Sequence, residues 1–141
     1  RKEVIEMLRQ KSRPYLFSNS LAPSIVAAGI KAFEIIEKEN IFKSQLDKNT
    51  KYFRHKIQQL GFEIKDGTHP IVPIMLFDAK KSQLFASELL KKGVYVVGFF
   101  YPVVPKNLAR IRVQLSASHT RNDIDFALEA FKKVGKDLNV I

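Results

Sequence analysis

Two arginines stand two residues apart in the segment RIRVQLS, at Arg110 and Arg112. Aliphatic residues alternate with them at Ile111, Val113 and Leu115, which is the period of a half-buried β-strand. Both arginines therefore lie on one face of the predicted strand, and the aliphatic side chains lie on its core face. A guanidinium presents a planar fork of donors that can hold a carboxylate through two charge-assisted hydrogen bonds. The pattern indicates either a carboxylate-binding site or two arginines that reach solvent or pair with acidic side chains of helices.

Other side chains that could do chemistry are few and widely spaced. The histidines His55, His69 and His119 do not have the spacing of a metal site such as HExxH. We expect His55 to lie on a helix surface, His69 to support the DGTHP turn, and His119 to hydrogen-bond a turn before the last helix. The sequence contains no GxSxG motif, glycine-rich phosphate loop or dinucleotide fingerprint. Residue types and spacing alone therefore predict neither a complete catalytic centre nor a metal site.

The elements that must position these residues alternate between helical and strand-like patterns. Helical periodicity covers residues 1–12, 21–39, 41–60, 80–93 and 120–138, and strand-like runs cover residues 62–64, 71–76, 94–100 and 110–116. Pro14 is expected to end the first helix with Arg13 extended, and Pro73 to mark an edge strand or a bulge. Thr120 and Asp123 have the spacing of a capping box at the last helix. We expect an α+β sandwich, in which a small, mostly antiparallel sheet carries helices on one face.

Composition narrows the class of protein. The chain of 141 residues has a net charge of +10, but its lysines are scattered and no helix-turn-helix or RNA-binding motif is present. We therefore expect no nucleic-acid partner, although the positive field suits an anionic small ligand. The absence of cysteine excludes a disulfide framework and a thiolate metal site. No apolar run approaches the roughly 18–20 residues of a membrane span and no signal peptide is visible, so we expect a soluble, cytoplasmic protein without a membrane partner.

Three segments carry a family resemblance: SRPYLFSNSLAP, GFFYPVVPKNLARIRVQLSASHT and AFKKVGKDLNVI. They closely resemble the C-terminal part of the α-oxoamine synthases, pyridoxal-phosphate enzymes with the aspartate-aminotransferase type of fold. The similarity runs over essentially the whole chain. The loop FFYPVVP resembles the corresponding loop in one branch of this family. Enzymes of that branch interconvert glycine and acetyl-coenzyme A with 2-amino-3-ketobutyrate and coenzyme A in threonine breakdown. Sister enzymes of the family make 8-amino-7-oxononanoate, 5-aminolevulinate or ketosphinganine.

The resemblance implies roles for three residues. In the family, the second arginine of the RIR unit holds the carboxylate of the amino-acid substrate, and this position corresponds to Arg112. The FSNS segment resembles one that crosses a homodimer interface to the cofactor phosphate of the neighbouring subunit, which implies that contact for Ser18 and Asn19. A hydroxyl and an amide suit a phosphate, but a plain helix cap explains the same residues. The resemblance gives no catalytic role to Arg110, which we expect to be a supporting or surface residue.

The resemblance also implies what this chain does not carry. The family's Schiff-base lysine and the Thr/Ser-rich motif around it are absent from the sequence. The resemblance implies that this motif lies just upstream of Arg1. The chain also starts without methionine inside a helix-like segment, so we expect it to be a fragment. Residues 1–22 are then expected to link to an absent large domain, and residues 23–141 to form the C-terminal small domain. The chain by itself is expected to be inactive.

Two alternatives remain open at this point. The first is a sister synthase, such as 8-amino-7-oxononanoate synthase, that uses a longer acyl thioester. The second is a non-enzymatic binding module that acts through its basic surface. An acyl-donor screen separates the two kinds of synthase, and steep salt dependence of nucleic-acid binding would support the module.

Overall fold

The computed structural model of the chain describes residues 1–17, 20–38 and 40–141. The chain divides into two compact units, Arg1–Asn40 and Ile41–Ile141. The boundary predicted between residues 22 and 23 refers to the arrangement within a longer enzyme and stays a prediction. No helix within the described ranges has the length and apolar content needed to cross a membrane.

The described residues of the first unit form three helices, α1 (Lys2–Lys11), α2 (Arg13–Leu16) and α3 (Pro23–Lys38). The extended residue between α1 and α2 is Ser12, with φ −73° and ψ 101°. Arg13 is helical, so the expectation of an extended Arg13 is wrong by one residue. Pro14 lies in the first turn of α2, where a missing N–H breaks no helical hydrogen bond.

The second unit combines helices with an antiparallel sheet. From α4 onward the elements are α4 (Asn40–Gln59), β1 (Ile71–Phe77), α5 (Ala79–Lys91), β2 (Val97–Phe99), β3 (Ala109–Gln114) and α6 (Arg121–Asp137). The strand order is β1-β3-β2, and both pairings are antiparallel. In the central strand, Ile111 faces Ile74 of β1 and Gly98 of β2. The predicted α+β class with a small antiparallel sheet is confirmed.

Two of the predicted strands are shorter in the structure than the sequence pattern predicts. In residues 62–64, only Ile64 pairs, through an isolated bridge to Ile74. The segment is short because Gly61 and Gly67, with φ of 99° and 141°, turn the chain on either side of it. In residues 94–100, β2 covers only Val97–Phe99. The Val94 N–H bonds to the Leu89 carbonyl at the end of α5, so Val94 belongs to the helix end.

Pro73 lies in an edge strand, as predicted. β1 pairs with β3 on one side only, and its register shifts between Met75 and Phe77. On the outer side, the Pro73 carbonyl accepts the Lys65 N–H at 3.1 Å, and the Met75 N–H donates to Glu63 at 2.8 Å. The missing N–H of Pro73 therefore faces away from β3 and interrupts no bond of the sheet.

One face of the sheet forms the core with α4, α5 and α6. The buried strand residues on that face are Val72, Ile74, Leu76, Ile111 and, just after β3, Leu115. The helices and the segment after α4 supply four mutually packed phenylalanine rings, with centroids 5.7 to 6.2 Å apart: Phe53, Phe62, Phe85 and Phe131. Burial of such a side chain contributes about 1.5–3 kcal/mol. The opposite face of the sheet is left for the arginines.

The last helix, α6, begins with the predicted capping box. The Thr120 hydroxyl accepts the Asp123 N–H at 3.2 Å, and the Asp123 carboxylate accepts the Thr120 N–H at 2.8 Å. The Thr120 hydroxyl also donates to this carboxylate at 2.7 Å. These hydrogen bonds, chiefly the one from the Thr120 hydroxyl, lower the pKa of Asp123.

A methyl group at Gly135 of α6 tests the packing of the core. A Cβ at this position would lie 2.6 Å from Cζ of Phe62 and 2.9 Å from Cγ1 of Ile141. Gly135→Ala should lower the free energy of unfolding by about 1–3 kcal/mol, measured by urea denaturation. Gly29→Ala in α3 is the matched control, because nothing lies within 4 Å of its added Cβ. Equal stability of the Gly135→Ala and unsubstituted chains would contradict this packing.

The capping box predicts a pH dependence of stability. Because folding lowers the pKa of Asp123, its carboxylate stabilises the fold above its unfolded pKa of about 3.9, and this contribution is lost as the pH falls through the folded value. Asp123→Ala should lower the urea midpoint at pH 7, and the deficit should shrink by about pH 3. Asp137→Ala, at the C-terminal end of α6, is the control and should show no such deficit. A deficit independent of pH would contradict the role of the carboxylate.

Candidate functional site

Arg112 lies on the exposed face of the central strand. Its neighbours Ile111 and Val113 contribute to the core on the other face, as their alternation predicts. In register, Arg112 faces Pro73 of β1 and Val97 of β2. The strand is bonded on both sides, so the backbone that carries Arg112 is held more rigidly than a loop would be.

The Arg112 guanidinium is held by an aromatic ring. Its central carbon lies 4.5 Å from the centroid of the Phe99 ring. Within residues 1–17, 20–38 and 40–141, no carboxylate forms an ion pair with Arg112. An aromatic ring has no carboxylate or carbonyl oxygen, so this contact leaves the guanidinium donors available to an anion. The described structure thus shows no helix carboxylate paired with Arg112. Its exposed guanidinium fits both a carboxylate-binding site and an arginine that reaches solvent, so the binding role stays a prediction.

Arg110 shares the face of Arg112 but has a different environment. It is half-buried, and its Nε donates to the Leu108 carbonyl at 3.0 Å. This bond ties the side chain to the end of the loop that precedes β3. The expectation that Arg110 is a supporting or surface residue agrees with this contact.

An open hollow of about 310 Å³ lies beside Arg112 on the exposed face. Polar side chains line it at Gln114, Ser116 and His119. Nδ1 of His119 accepts the Ser116 N–H at 3.2 Å, which confirms that His119 hydrogen-bonds the turn before α6. The His119 side chain, which lines the hollow, is thus held in place by a hydrogen bond within the turn before α6.

Buried Asn49 of α4 anchors the same turn. Its Nδ2 donates to the carbonyls of Ser116 at 3.0 Å and His119 at 2.9 Å. Its Oδ1 accepts from Gln45 at 2.9 Å. With its polar atoms bonded, Asn49 fixes the end of β3 to α4 without an unpaired buried group.

The other histidines also have the places predicted from the sequence. His55 is exposed on α4, and Nδ1 of His69 accepts the Ile71 N–H at 3.1 Å. Among the residues that the structure describes, no group of three His, Asp or Glu side chains is placed to hold a metal ion.

A second hollow of about 400 Å³ is lined by cationic side chains, including Lys43, Lys51 and Arg54. The two Nη groups of Arg54 serve the fold: Nη1 donates to the Lys65 carbonyl at 2.9 Å, and Nη2 donates to the His69 carbonyl at 3.1 Å. Lys43 pairs with Asp47 at 2.8 Å. Burial of Arg54 lowers its pKa. Through the hydrogen bonds of Nη1 and Nη2, Arg54 holds the loop before β1 in place.

The two residues predicted to reach a cofactor phosphate, Ser18 and Asn19, lie outside the described residues. Ser20, next to them, donates its hydroxyl to the Tyr15 carbonyl at 3.0 Å. The role of Ser18 and Asn19 stays a prediction.

Sequence reasoning missed two residues that shape the site, Phe99 and Asn49. The strand period does place Phe99 on a definite face of β2, but only the register of β2 against β3 brings it to Arg112. A polar residue between apolar positions of an amphipathic helix was the available signal for Asn49.

Curated relatives match the chain over its length. The 2-amino-3-ketobutyrate coenzyme A ligase of Escherichia coli K12 is 55% identical over 141 residues, which are 100% of this chain and 35% of that protein. The mitochondrial ligase of Homo sapiens is 47% identical over 133 residues, 94% of this chain and 32% of that protein. An 8-amino-7-oxononanoate synthase of Thermosipho melanesiensis is 47% identical over 141 residues, covering 100% of this chain and 36% of that protein. The chain thus spans about a third of the length of these relatives.

Solved structures share the fold. A serine palmitoyltransferase of S. paucimobilis superposes with a TM-score of 0.88 at 28% identity, over 96% of this chain and 35% of that chain. The 8-amino-7-oxononanoate synthase of Francisella tularensis gives a TM-score of 0.81 at 25% identity, over 100% of this chain and 41% of that chain. The family model for aminotransferase class I and II matches residues 1–131. Since this match takes in both units and the arginine-bearing strand, the chain belongs to the class I and II aminotransferase family.

Proposed function

We propose that this chain is the C-terminal part of a glycine C-acetyltransferase, a pyridoxal-phosphate-dependent enzyme. The complete enzyme would interconvert glycine and acetyl-coenzyme A with 2-amino-3-ketobutyrate and coenzyme A during threonine breakdown. The observation that carries the proposal is the 55% identity to the E. coli ligase over every residue of the chain. Because the sequence contains no Schiff-base lysine motif, the chain alone is proposed to be inactive.

Arg112 is proposed to hold the carboxylate of glycine. Its exposed guanidinium, the bonded strand beneath it and the absence of an acidic partner in the described residues support this role. Two parallel N–H···O bonds to a carboxylate define both the position and the orientation of the bound amino acid. Such orientation lowers the barrier by removing translational and rotational freedom before the reaction.

Pyridoxal phosphate, when bound, withdraws electron density from the bonds at the substrate Cα. The structure of a variant of the S. paucimobilis serine palmitoyltransferase contains pyridoxal phosphate joined to myriocin. In this chain, Ser18 and Asn19 are proposed to contact the cofactor phosphate of the neighbouring subunit in a homodimer. A hydroxyl and an amide are suitable donors to a phosphate, whereas the Ser20 hydroxyl is already bonded to Tyr15.

The domain arrangement, ligands and location are proposed from the same family assignment. Residues 1–22 would link to the large domain, and residues 23–141 would form the small domain. Glycine, acetyl-coenzyme A and coenzyme A are the proposed ligands, and neither nucleic acid nor a membrane is a proposed partner. The cytoplasm is the proposed location, with which the cysteine-free composition is compatible.

A sister activity is the second candidate. The 47% identity to the Thermosipho melanesiensis 8-amino-7-oxononanoate synthase also covers the whole chain. Since both candidates use an arginine-bearing strand, the carboxylate site does not separate them. The acyl donor does.

Replacing Arg112 tests the carboxylate role in the complete, cofactor-loaded protein. Arg112→Ala should lower kcat/KM for glycine by about 30- to 1,000-fold, because the substrate carboxylate loses its charged partner. Cofactor absorbance should be retained. Arg110→Ala is the matched control and should cause a much smaller loss, since that side chain is tied to Leu108. Normal glycine kinetics in Arg112→Ala would reject the assignment.

The choice of acyl donor tests the proposed branch. The complete protein should release coenzyme A from acetyl-coenzyme A with a kcat/KM at least about tenfold above that for longer acyl thioesters. Free thiol is measured with glycine as the acceptor and, in the control, without an amino acid. A preference for a longer acyl thioester would favour the sister synthase instead.

A further inference from the structure

We propose that Phe99 is the positioning residue for Arg112: its ring holds the guanidinium in the place where the substrate carboxylate is received. The inference rests on the proposed role of Arg112 and adds a residue that acts through this arginine without binding the substrate itself. Among the described contacts, Arg112 stacks on the Phe99 ring, whereas Arg110 donates a hydrogen bond to the Leu108 carbonyl.

The register of the sheet creates this contact. Phe99 faces Arg110, and Val97 faces Arg112, so Phe99 and Arg112 are diagonal neighbours on one face of β2 and β3. Diagonal pairs in antiparallel sheets are within reach of aromatic and long side chains. The separation of 4.5 Å between the guanidinium carbon and the ring centroid lies well inside the roughly 6 Å limit for a cation–π contact.

The strand that carries Phe99 is itself held against α5. A Cβ at Gly98 would lie only 3.0 Å from the Ser82 carbonyl oxygen, so the glycine allows the two backbones to approach. Ser82 is fully buried, and its hydroxyl donates to the Ala79 carbonyl at 2.9 Å. Since neighbouring residues of a strand point to opposite faces, contact of Gly98 with α5 directs Phe99 to the exposed face.

The ring therefore orders Arg112 before a ligand arrives. An unsupported arginine side chain loses rotamer freedom when it binds an anion, which weakens binding. A side chain already held by a stack loses less. The ring also provides no hydrogen-bond acceptor of its own that would compete strongly with a carboxylate. Pre-ordering of this kind should favour glycine binding with little effect on the later chemical steps.

The test compares Phe99→Leu with Phe99→Tyr in the complete, cofactor-loaded protein. Phe99→Leu keeps an apolar side chain but removes the ring, and should raise KM for glycine by about 3- to 30-fold with little change in kcat. Glycine affinity, measured by calorimetry without the acyl donor, should fall by the same factor. Phe99→Tyr keeps the ring and should restore both values. Phe126→Leu makes the same exchange at an exposed site of α6 and should leave both values unchanged.

Two further variants make the result decisive. In an Arg112→Ala background, Phe99→Leu should have no additional effect, because the ring then has no guanidinium to hold. Phe99→Ile, β-branched and suited to a strand, replaces Phe99→Leu if thermal unfolding shows that leucine disrupts the fold.

The outcomes separate this inference from the proposed function. If Arg112→Ala impairs glycine use but Phe99→Leu and Phe99→Ile do not, the positioning role is wrong and the carboxylate role stands. If Phe99→Leu lowers kcat and lowers kcat/KM for glycine and for acetyl-coenzyme A by the same factor, and Phe99→Tyr does not restore these values, the role of Phe99 is merely structural and the positioning role is wrong. If Arg112→Ala itself leaves glycine use intact, the proposed carboxylate site fails and the role of Phe99 fails with it.

Discussion

The central strand β3 buries only one of its two faces, and the second unit is organised around this asymmetry. Ile111 and Leu115 are 0% and 7% exposed, under the helices that form the core. A slip of one residue would carry Arg110 and Arg112 to the buried face. An unpaired charge buried there would strongly destabilise the fold. The hydrophobic register of a short strand therefore decides which side of the sheet can bind an anion.

Arg110 and Arg112 lie on the same face of β3, but their local contacts give them different roles. Arg110 bonds the carbonyl of nearby Leu108, so part of its donor capacity maintains the loop before β3. Arg112 rests on the Phe99 ring, and this contact leaves its donors for a ligand. Support for both comes from the other face, where Gly98 lets β2 approach α5 and Asn49 ties the end of β3 to α4. Packing on the buried side thus positions the chemistry on the exposed side.

Features that depend on residues close in sequence could be predicted from it. Alternation placed the arginines of β3 on one face, and the spacing of Thr120 and Asp123 indicated the cap of α6. Contacts between distant segments could not be predicted, because they depend on strand register and helix packing. Phe99 meets Arg112 only through pairing of β2 with β3. Residues 62–64 have a strand-like composition, but the glycines on either side leave only the bridge at Ile64.

A crystal structure of the complete protein with glycine bound would show whether Arg112, held by Phe99, receives the substrate carboxylate. We expect both carboxylate oxygens within about 2.7–2.9 Å of Arg112 guanidinium nitrogens, with the Phe99 ring still against the guanidinium. A carboxylate held by other residues, with Arg112 turned toward solvent, would rule out this role of Arg112.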